Sequence, residues 1–228
     1  MRMTSELRLL AVAAYMAGFP ILLIWLSGDW RWAEGWIFGL WFAACAGGSM
    51  LRLYFKDPAL LAERMRRPGS GGQSRADLAI LIGVKLGTAA WFMLPPLGIR
   101  FGWTPRLPLW SEACGGVFLL AGGIFFFRAF TDNPFLSQLV RIQADRGQHV
   151  VDTGVYGCVR HPMYLGASLL YVGAAMLLRS AYGALAAVSV VLLLVVRIRG
   201  EERLLARELA GYQAYRQRVR YRLLPPVW

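Results

Sequence analysis

The chain has few side chains that can bind a metal or form cross-links. It contains only 3 cysteines and 2 histidines among 228 residues. Cys45 and Cys114 fall in apolar stretches, where small thiols commonly serve as packing residues, and Cys158 has no base beside it to support a catalytic thiol. A structural zinc site needs four ligands at suitable spacings, and His149, Cys158 and His161 are too few. The sequence therefore predicts neither a disulfide framework nor a metal site.

Acidic residues are also scarce. The 13 aspartates and glutamates face 25 lysines and arginines, which gives a net charge of +12. An excess of this size can indicate nucleic-acid binding. If the N-terminus is cytoplasmic, however, the opposite side of a membrane carries only Arg31, Arg100, Arg106 and Arg179. The cytoplasmic side then carries Arg2, Arg8, Lys56, Arg64, Arg66, Arg67, Arg75, Arg141, Arg146, Arg160 and the eight arginines between positions 197 and 222. This positive-inside pattern predicts that both termini are cytoplasmic and that the basic excess faces anionic lipid headgroups, not nucleic acid.

The most prominent feature of the sequence is its long apolar runs. The chain is 57% hydrophobic with a mean hydropathy of +0.46, which is too apolar for an ordinary soluble domain. Runs of about 20 residues predict four membrane-spanning helices, over 7–26, 35–55, 78–98 and 109–130. The first run is interpreted as a retained helix because it is long and no small-residue cleavage site followed by a soluble domain succeeds it.

Two shorter apolar runs, 164–178 and 181–196, are divided only by Arg179 and Ser180. As a helix each reaches about 24 Å, which barely crosses a hydrocarbon core of about 30 Å. They therefore predict a helical hairpin inserted from one side of the membrane. Beyond 196 the apolar residues continue at helical spacing with charges opposite, which predicts an amphipathic, cytosolic C-terminal helix.

These runs divide the chain into two functional regions. Residues 1–130 are predicted to be an all-α transmembrane scaffold with four spans and a cytosolic loop at 56–77. Residues 131–228 form the second region, with a cytosolic loop, the hairpin at 164–196 and the C-terminal helix, and the polar residues described below predict that it is the cofactor-binding and catalytic region. In the loop at 56–77, Asp57 and Pro58 favour the start of a short amphipathic surface helix. That helix would carry Leu60, Leu61 and Met65, and the run from Pro68 to Gly72 would end it.

Small and aromatic residues add detail to the scaffold. Gly35 and Gly39, like Gly83 and Gly87, are four residues apart and offer small faces for close helix packing. Tryptophans near the predicted span ends are typical of an aromatic belt at the membrane surface. They are Trp25, Trp30, Trp32, Trp36, Trp103 and Trp110.

Two polar clusters flank the predicted hairpin. Residues 148–166 read QHVVDTGVYGCVRHPMYLG, and Arg197-x-Arg199-Gly-Glu201-Glu202 follows the second arm. Polar groups beside a bilayer are costly unless they are satisfied or used. Because a hairpin returns to the side from which it entered, both clusters should emerge at one membrane face. We therefore expect His161 and Glu201 to line one cavity.

The residue types predict what such a cavity would hold. Two loop glycines allow close approach of the backbone to a ligand, and Tyr156 and Tyr164 offer faces for a purine or a cation. Glu201 or Glu202 would pair with an ammonium, a sulfonium or ribose hydroxyls. An arginine of the second cluster would bind a carboxylate or phosphate. The combination favours a zwitterionic cofactor and an acidic, lipophilic acceptor.

At these residues a family resemblance becomes specific. Gly154-Val155-Tyr156, then Arg160-His161-Pro162-x-Tyr164-x-Gly166, an apolar hairpin and Glu201-Glu202 resemble the isoprenylcysteine carboxyl methyltransferase family. The same pattern marks the wider group that includes phospholipid N-methyltransferases, and it covers roughly residue 133 to the C-terminus. The resemblance implies a multi-span α-helical protein that uses S-adenosylmethionine at the membrane–cytosol boundary and releases S-adenosylhomocysteine.

Carried over position by position, the resemblance implies a site. Arg197 would face the acceptor carboxylate, and Glu202, or His161, would take a proton if the acceptor were an amine. Glu201 and Glu202 are both candidates for the cofactor contact, and Gln148 and His149 can exchange roles. The implied cofactor-binding residues are Gln143, Gln148, His149, Val150, Val151, Tyr156, His161, Pro162, Met163, Tyr164 and Glu201.

The sequence thus predicts a membrane methyltransferase acting on the carboxylate or thiol of a small isoprenoid or other lipophilic acceptor, such as a prenylcysteine. The arginine-rich, nearly lysine-free composition indicates a GC-rich bacterial genome, and hence the bacterial inner membrane with a cytoplasmic active site. The alternatives are a phospholipid amine N-methyltransferase and a non-catalytic membrane binding protein on the same fold.

Overall fold

The computed structural model describes residues 5–64, 69 and 73–228, with residues 5–13, 15, 59 and 62 described by backbone alone. Within these residues the chain is all-α, with eight α-helices and two single turns of 3-10 helix at Ala144–Arg146 and Gly154–Gly157. The helices are α1 (Ser5–Ser27), α2 (Ala33–Lys56), α3 (Pro58–Arg64), α4 (Arg75–Phe101), α5 (Trp110–Asp132), α6 (Pro162–Leu177), α7 (Ala181–Glu208) and α8 (Tyr212–Arg218). Arg2, Met65, Arg66, Arg67, Pro68 and positions 70–72, as well as the side chain of Arg8, lie outside the described residues.

Four of the described helices, α2, α4, α5 and α7, are long and apolar enough to cross a membrane. The all-α membrane class predicted from hydropathy is confirmed. Helices suit a bilayer because they satisfy every backbone polar group internally. Three predicted spans coincide with α2, α4 and α5. The first predicted span coincides with α1, in which Met16–Ser27 is a shorter apolar helix.

The terminal hairpin differs from its prediction in the length of its second arm. The first arm, α6, has 16 residues, but α7 has 28 and continues through the charged cluster to Glu208. At 1.5 Å per residue α7 is about 42 Å long, so it exceeds a hydrocarbon core of about 30 Å. The helix continues past the apolar run because the residues that follow are mainly Arg, Glu, Leu and Ala, which are strong helix formers.

The closest helix packing joins α5 to α6. Each helix carries two glycines seven residues apart, Gly115 and Gly122 on α5 and Gly166 and Gly173 on α6. A Cβ atom at Gly122 would lie 2.9 Å from the carbonyl oxygen of Gly166, and one at Gly173 would lie 2.9 Å from that of Gly115. The two backbones therefore touch directly, as small residues permit in membrane helices. This contact fixes α6, and with it the Arg-His-Pro corner at its start.

The glycines noted in the sequence, at positions 35, 39, 83 and 87, are not part of the α5–α6 contact. A Cβ at Gly87 would lie 2.9 Å from Val190 of α7, and one at Gly39 would lie 2.8 Å from Pro20 of α1, so these two glycines do mediate helix packing. Gly35 instead makes room for the ring of Trp32.

Trp32 is also the exception among the predicted belt residues. Its side chain is 2% exposed and belongs to the core, because it folds over Gly35 at the start of α2, so its assignment to the belt is wrong. Trp36 is partly buried. The tryptophans that are exposed, as a belt requires, are Trp25, Trp30, Trp103 and Trp110.

The hairpin turn lies at one end of the bundle. Leu107 donates its backbone N–H to Arg179 at 3.0 Å, and Ala181 donates to Pro105 at 3.2 Å, so the turn pairs with the α4–α5 connection. Ser180 caps α7 by accepting from the Gly183 N–H at 3.0 Å. The polar clusters are consequently at the opposite end, which we call the loop end (residues 57–64, 73–77, 133–161 and 209–228).

At the loop end the short helix predicted after Asp57 is present as α3. The Asp57 carboxylate accepts from the Leu60 N–H at 2.8 Å, which starts the helix. Glu63 then pairs with Arg141 at 2.9 Å, and Arg64 donates to the Phe130 carbonyl at 2.8 Å. These contacts hold α3 against the loop that lines the candidate site.

Candidate active site

The two polar clusters meet at the loop end, as the hairpin argument predicts. His161 is the last residue before α6, and its Nε2 lies 3.3 Å from Glu202 Oε1 on α7. One turn into α6, the Tyr164 hydroxyl donates to Glu201 Oε2 at 2.7 Å. Side chains about forty positions apart are therefore in direct contact because the two arms of the hairpin are antiparallel.

A cavity opens beside this contact, between the ends of α6 and α7, the loop that follows α5, and α8. Ten of the eleven residues expected to bind the cofactor line it. The exception is Pro162, which is buried at the first position of α6 and serves to start that helix. The ten are Gln143, Gln148, His149, Val150, Val151, Tyr156, His161, Met163, Tyr164 and Glu201.

Two walls of the cavity were not expected from the sequence. One is the start of the loop after α5, from Asn133 to Arg141, and the other is formed by Leu204, Leu205 and Leu209 with the two tyrosines of α8, Tyr212 and Tyr215. A signal for the second wall is the apolar spacing beyond the charged cluster, since residues 205, 209 and 212 recur at helical intervals. The loop carries no comparable periodic signal.

Gln143 and Gln148 build the loop that frames the cavity. The buried Gln143 side chain donates to the Phe135 carbonyl at 2.5 Å and accepts from Arg146 at 2.6 Å. Gln148 Oε1 accepts from the Gln143 N–H at 2.7 Å. Both amides are thus used within the loop. The exposed His149 packs edge-on against Phe135, with ring centroids 5.0 Å apart.

Val150 and Val151 follow outside any helix, with free backbone groups. Their N–H and carbonyl groups make no hydrogen bond to the described part of the chain. The Val150 side chain packs against the cluster formed by Tyr212, Tyr215 and Val219, which holds this segment in place. Free, fixed backbone donors and acceptors on a cavity wall can bind the polar edge of a heterocycle.

The adjacent glutamates face different surroundings. Glu202 is buried, and its carboxylate accepts from Arg160 Nε and from Arg222 Nε, both at 2.7 Å, as well as contacting His161. It does not line the cavity, and its two oxygens are already engaged. Glu201 lines the cavity, and its Oε1 has no partner among the described residues. The geometry therefore favours Glu201 for a ligand contact and does not support the catalytic role expected for Glu202.

Arg197, expected to face the acceptor, lies one turn before Glu201 and is held by α4. Its Nε donates to Asp77 Oδ1 at 2.9 Å, and its Nη2 donates to Asp77 Oδ2 at 3.3 Å and to the Gln138 carbonyl at 2.5 Å. Nη1 makes no hydrogen bond to the described residues, and Arg197 is not among those lining the cavity. Arg197 and Glu201 do not form an ion pair with each other, because Arg197 pairs with Asp77 and Glu201 accepts a hydrogen bond from Tyr164.

Asp77 is the partner of Arg197, and sequence reasoning missed it. It lies at the third position of α4, where its N–H donates to the side chain of Ser74 at 3.1 Å. Its carboxylate also accepts from Gln73 at 2.5 Å. The only sequence signal was a serine three residues before an aspartate, which indicates a helix start and not an active site.

Two buried polar atoms on residues of the cavity wall have no partner in the described part of the chain: the Tyr212 hydroxyl and Arg141 Nε. Burial also raises the pKa of Tyr156 and of Tyr212, so both hydroxyls stay protonated near neutral pH. An unpaired buried donor is costly unless a ligand satisfies it. The cavity wall itself offers the backbone groups of Val150 and Val151 together with the free oxygen of Glu201, a set that fits a zwitterionic nucleoside.

Comparison with known proteins agrees with this geometry. Residues 110–210 match the family model for phospholipid methyltransferases. The chain is similar to this family over that region. The family is the wider group of membrane methyltransferases that includes the isoprenylcysteine carboxyl methyltransferases, so the resemblance found in the sequence is confirmed at that level.

The matched residues include α5, α6, the whole of α7 and the loop that frames the cavity, whereas Asp77 and α8 lie outside them. The chain is also similar to the Lamin-B receptor of Drosophila melanogaster, with 31% identity over 106 residues. That alignment covers 45% of this chain and 14% of the receptor, so the chain spans only a small part of the relative's length.

Proposed function

We propose that this protein is an S-adenosylmethionine-dependent membrane methyltransferase that acts on the carboxylate or thiol of a small isoprenoid or other lipophilic acceptor, such as a prenylcysteine. The observation that carries the proposal is the cavity at the loop end, with the free oxygen of Glu201 on its wall. When bound, S-adenosylmethionine would supply an electrophilic methyl group on a sulfonium.

The chain's own groups suit that cofactor. The free Glu201 oxygen would accept hydrogen bonds from an ammonium or ribose hydroxyls, and Tyr164 orients that carboxylate. The backbone of Val150 and Val151 would bind the edge of the adenine. Tyr212 and Arg141 would donate to oxygen or nitrogen acceptors of the cofactor, which would satisfy their unpaired buried atoms.

Arg197 would bind an acidic acceptor. The bidentate contact with Asp77 uses its Nε and Nη2 and fixes the plane of the guanidinium, which leaves Nη1 for a carboxylate. A carboxylate is already a nucleophile, so the protein has to position it and exclude water without removing a proton. A thiol has first to release its proton to water and become the thiolate. Asp77 is in this proposal a positioning residue that acts through Arg197.

A phospholipid amine N-methyltransferase is the second candidate, favoured by the family that residues 110–210 match. An amine acceptor has to lose a proton near neutral pH. Both bases considered for that task, His161 and Glu202, are buried against each other and the carboxylate is further engaged by two arginines. That engagement is why we place the carboxylate or thiol acceptor first.

We place the loop end in the cytoplasm, and the protein in the bacterial inner membrane. The basic side chains at the loop end support this orientation, because positively charged residues concentrate on the cytoplasmic side of membrane proteins. A cytoplasmic cavity would also be open to a soluble cofactor.

Calorimetric titration of the detergent-purified protein with S-adenosylhomocysteine tests the cofactor assignment. We expect saturable binding that weakens roughly tenfold in Glu201→Gln, since a hydrogen bond to a charged group is lost. Glu208→Gln, an exposed glutamate at the end of the same helix, is the matched control and should bind like the wild type. Absence of binding in the wild type would favour a non-catalytic membrane binding protein.

The acceptor class is tested by radiolabelled methyl transfer to lipophilic carboxylates, thiols and amines. We expect transfer to a carboxylate or thiol. Transfer to amine lipids alone would establish the second candidate and overturn the first.

A further inference from the structure

A second recess lies behind the cavity, on the other side of Arg160. It is an open groove between α8 and the segment that follows it, and Arg160 contributes to both hollows. The groove is lined by Arg160, Gln213, Arg216, Gln217, Arg220 and Arg222. Four of these six side chains are guanidinium groups and none is acidic.

The positive charge of the groove is only partly balanced. Arg160 and Arg222 share one carboxylate, that of Glu202, at 2.7 Å each. Arg216 reaches the side-chain oxygen of Gln213 at 3.4 Å, and the Arg220 side chain has no hydrogen bond or ion pair with the described residues. One negative charge therefore faces four positive ones. Converging guanidinium groups with free N–H donors are suited to the oxygens of a phosphate.

The groove is continuous with a segment that lies against the membrane-spanning helices. From Tyr221 the chain runs to Trp228, and this segment is called the tail (Tyr221–Trp228). Leu223 is buried in the same cluster as Val84 of α4 and Leu194 and Ile198 of α7, and Trp228 packs against that cluster. The tail is thus seated where the spanning helices reach the loop end.

The tail also presents apolar side chains outward. Leu224 is 50% exposed and Val227 is 77% exposed. The Arg222 guanidinium lies over the Trp228 ring, 4.9 Å from its centroid, which joins the charged groove to this apolar surface. Basic groups beside exposed aliphatic groups at the end of a membrane bundle match a phospholipid, whose phosphate lies directly beside its acyl chains.

We propose that this groove binds the phosphate of an anionic phospholipid headgroup, with Arg216 and Arg220 as its free ligands and with Leu224 and Val227 against the acyl chains. Arg160 and Arg222 complete the groove and connect it to Glu202 beneath the cavity. The lipid is favoured over a soluble phosphate because the apolar surface of the tail adjoins the arginines. The site does not depend on which acceptor the protein methylates.

Native mass spectrometry of the full-length protein in non-ionic detergent tests the site. The protein is titrated with phosphatidylglycerol, with phosphatidylcholine, and with inorganic phosphate. We expect retention of phosphatidylglycerol in preference to phosphatidylcholine, and a roughly tenfold weaker retention in the Arg216→Gln/Arg220→Gln variant, because two charge-assisted contacts are removed. The Arg203→Gln/Arg207→Gln variant loses the same charge from the exposed face of α7 and should retain the lipid.

Three outcomes would overturn the proposal. Equal losses in the two double variants would mean a general effect of net charge, and undiminished retention in the groove variant would place the lipid elsewhere. Competition by millimolar inorganic phosphate as strong as that by the lipid would identify a soluble ligand. The single variant Arg220→Gln serves as a folding control, because this side chain has no partner whose loss would destabilise the protein, and its binding of S-adenosylhomocysteine should equal that of the wild type.

Discussion

Arg197 and Asp77, which are 120 positions apart, form a two-pronged ion pair with N–O distances of 2.9 and 3.3 Å. Arg197 lies within the residues that match the phospholipid methyltransferase model, whereas Asp77 belongs to α4, outside those residues. Their side chains are only 7% and 10% exposed. A scaffold helix therefore fixes the guanidinium of Arg197, which lies one turn before Glu201.

Asp77→Asn should separate the structural and positioning roles of this pair. Removing one partner of a buried ion pair leaves the other charge uncompensated, which costs about 3–5 kcal/mol. We expect a lower thermal midpoint in detergent, and a larger rise in KM for an acidic acceptor than loss of affinity for S-adenosylhomocysteine. Asp77→Glu should partly restore the acceptor KM. A variant with altered stability and unchanged acceptor KM would show that Asp77 has no positioning role.

Glu202→Gln should destabilise the protein because the substitution leaves Arg160 and Arg222 without their shared carboxylate. Both arginines lose a short charged hydrogen bond, which for Arg160 is fully buried, and the expected cost is again about 3–5 kcal/mol of unfolding free energy. Glu201→Gln, which alters a carboxylate at the cavity wall, should destabilise far less. Thermal unfolding of the two variants in parallel measures the difference. A stable Glu202→Gln protein that binds the cofactor but cannot turn over would instead restore the chemical role for Glu202.

Tyr212→Phe is expected to have opposite effects on stability and on cofactor binding. The buried Tyr212 hydroxyl has no partner among the described residues, so its removal should stabilise the ligand-free protein by about 1 kcal/mol. If the hydroxyl donates to the cofactor, affinity for S-adenosylhomocysteine should fall several-fold. Thermal unfolding with and without S-adenosylhomocysteine checks both effects. Tyr182→Phe, on an exposed tyrosine of α7, is the control, and unchanged affinity in Tyr212→Phe would remove this residue from the cofactor site.

Gly166→Ala should disturb the site from a distance by forcing α6 away from α5. The added Cβ would lie 2.6 Å from the Phe126 nitrogen and 2.9 Å from the Gly122 oxygen, and backbone atoms cannot move aside. Overpacking of this kind costs about 1–3 kcal/mol. We expect reduced stability and weaker cofactor binding, because α6 carries Tyr164.

Gly116→Ala is the matched control on α5, since a Cβ there meets nothing within 4 Å. It should be neutral or slightly stabilising because alanine favours a helix over glycine. Equal behaviour of the two variants would show that the direct α5–α6 backbone contact is unimportant.

The residues of the candidate site differed in how well the sequence predicted them. His161, Tyr164 and Glu201 were expected in one cavity, and they lie there, because two helices joined by a tight turn must return to the same face. Asp77 gave no such signal, since nothing in its neighbourhood indicates which of the other helices α4 will contact.

The sequence also could not distinguish the roles of the adjacent residues Glu201 and Glu202. Successive positions on an α-helix point about 100° apart, so Glu201 and Glu202 cannot both face the cavity, and the sequence offers no means of choosing between them. The packing of α7 against α6 directs Glu201 toward Tyr164 and Glu202 toward Arg160.

By itself the sequence determined that this is an all-helical membrane protein with a terminal hairpin and a polar site at the open end of that hairpin. It did so because hydropathy and helix length are properties of single segments in a bilayer. Only the tertiary structure decided which charged groups compensate each other, since the pairing of Arg197 with Asp77 and of Glu202 with Arg160 and Arg222 depends on how separate helices and the tail pack together.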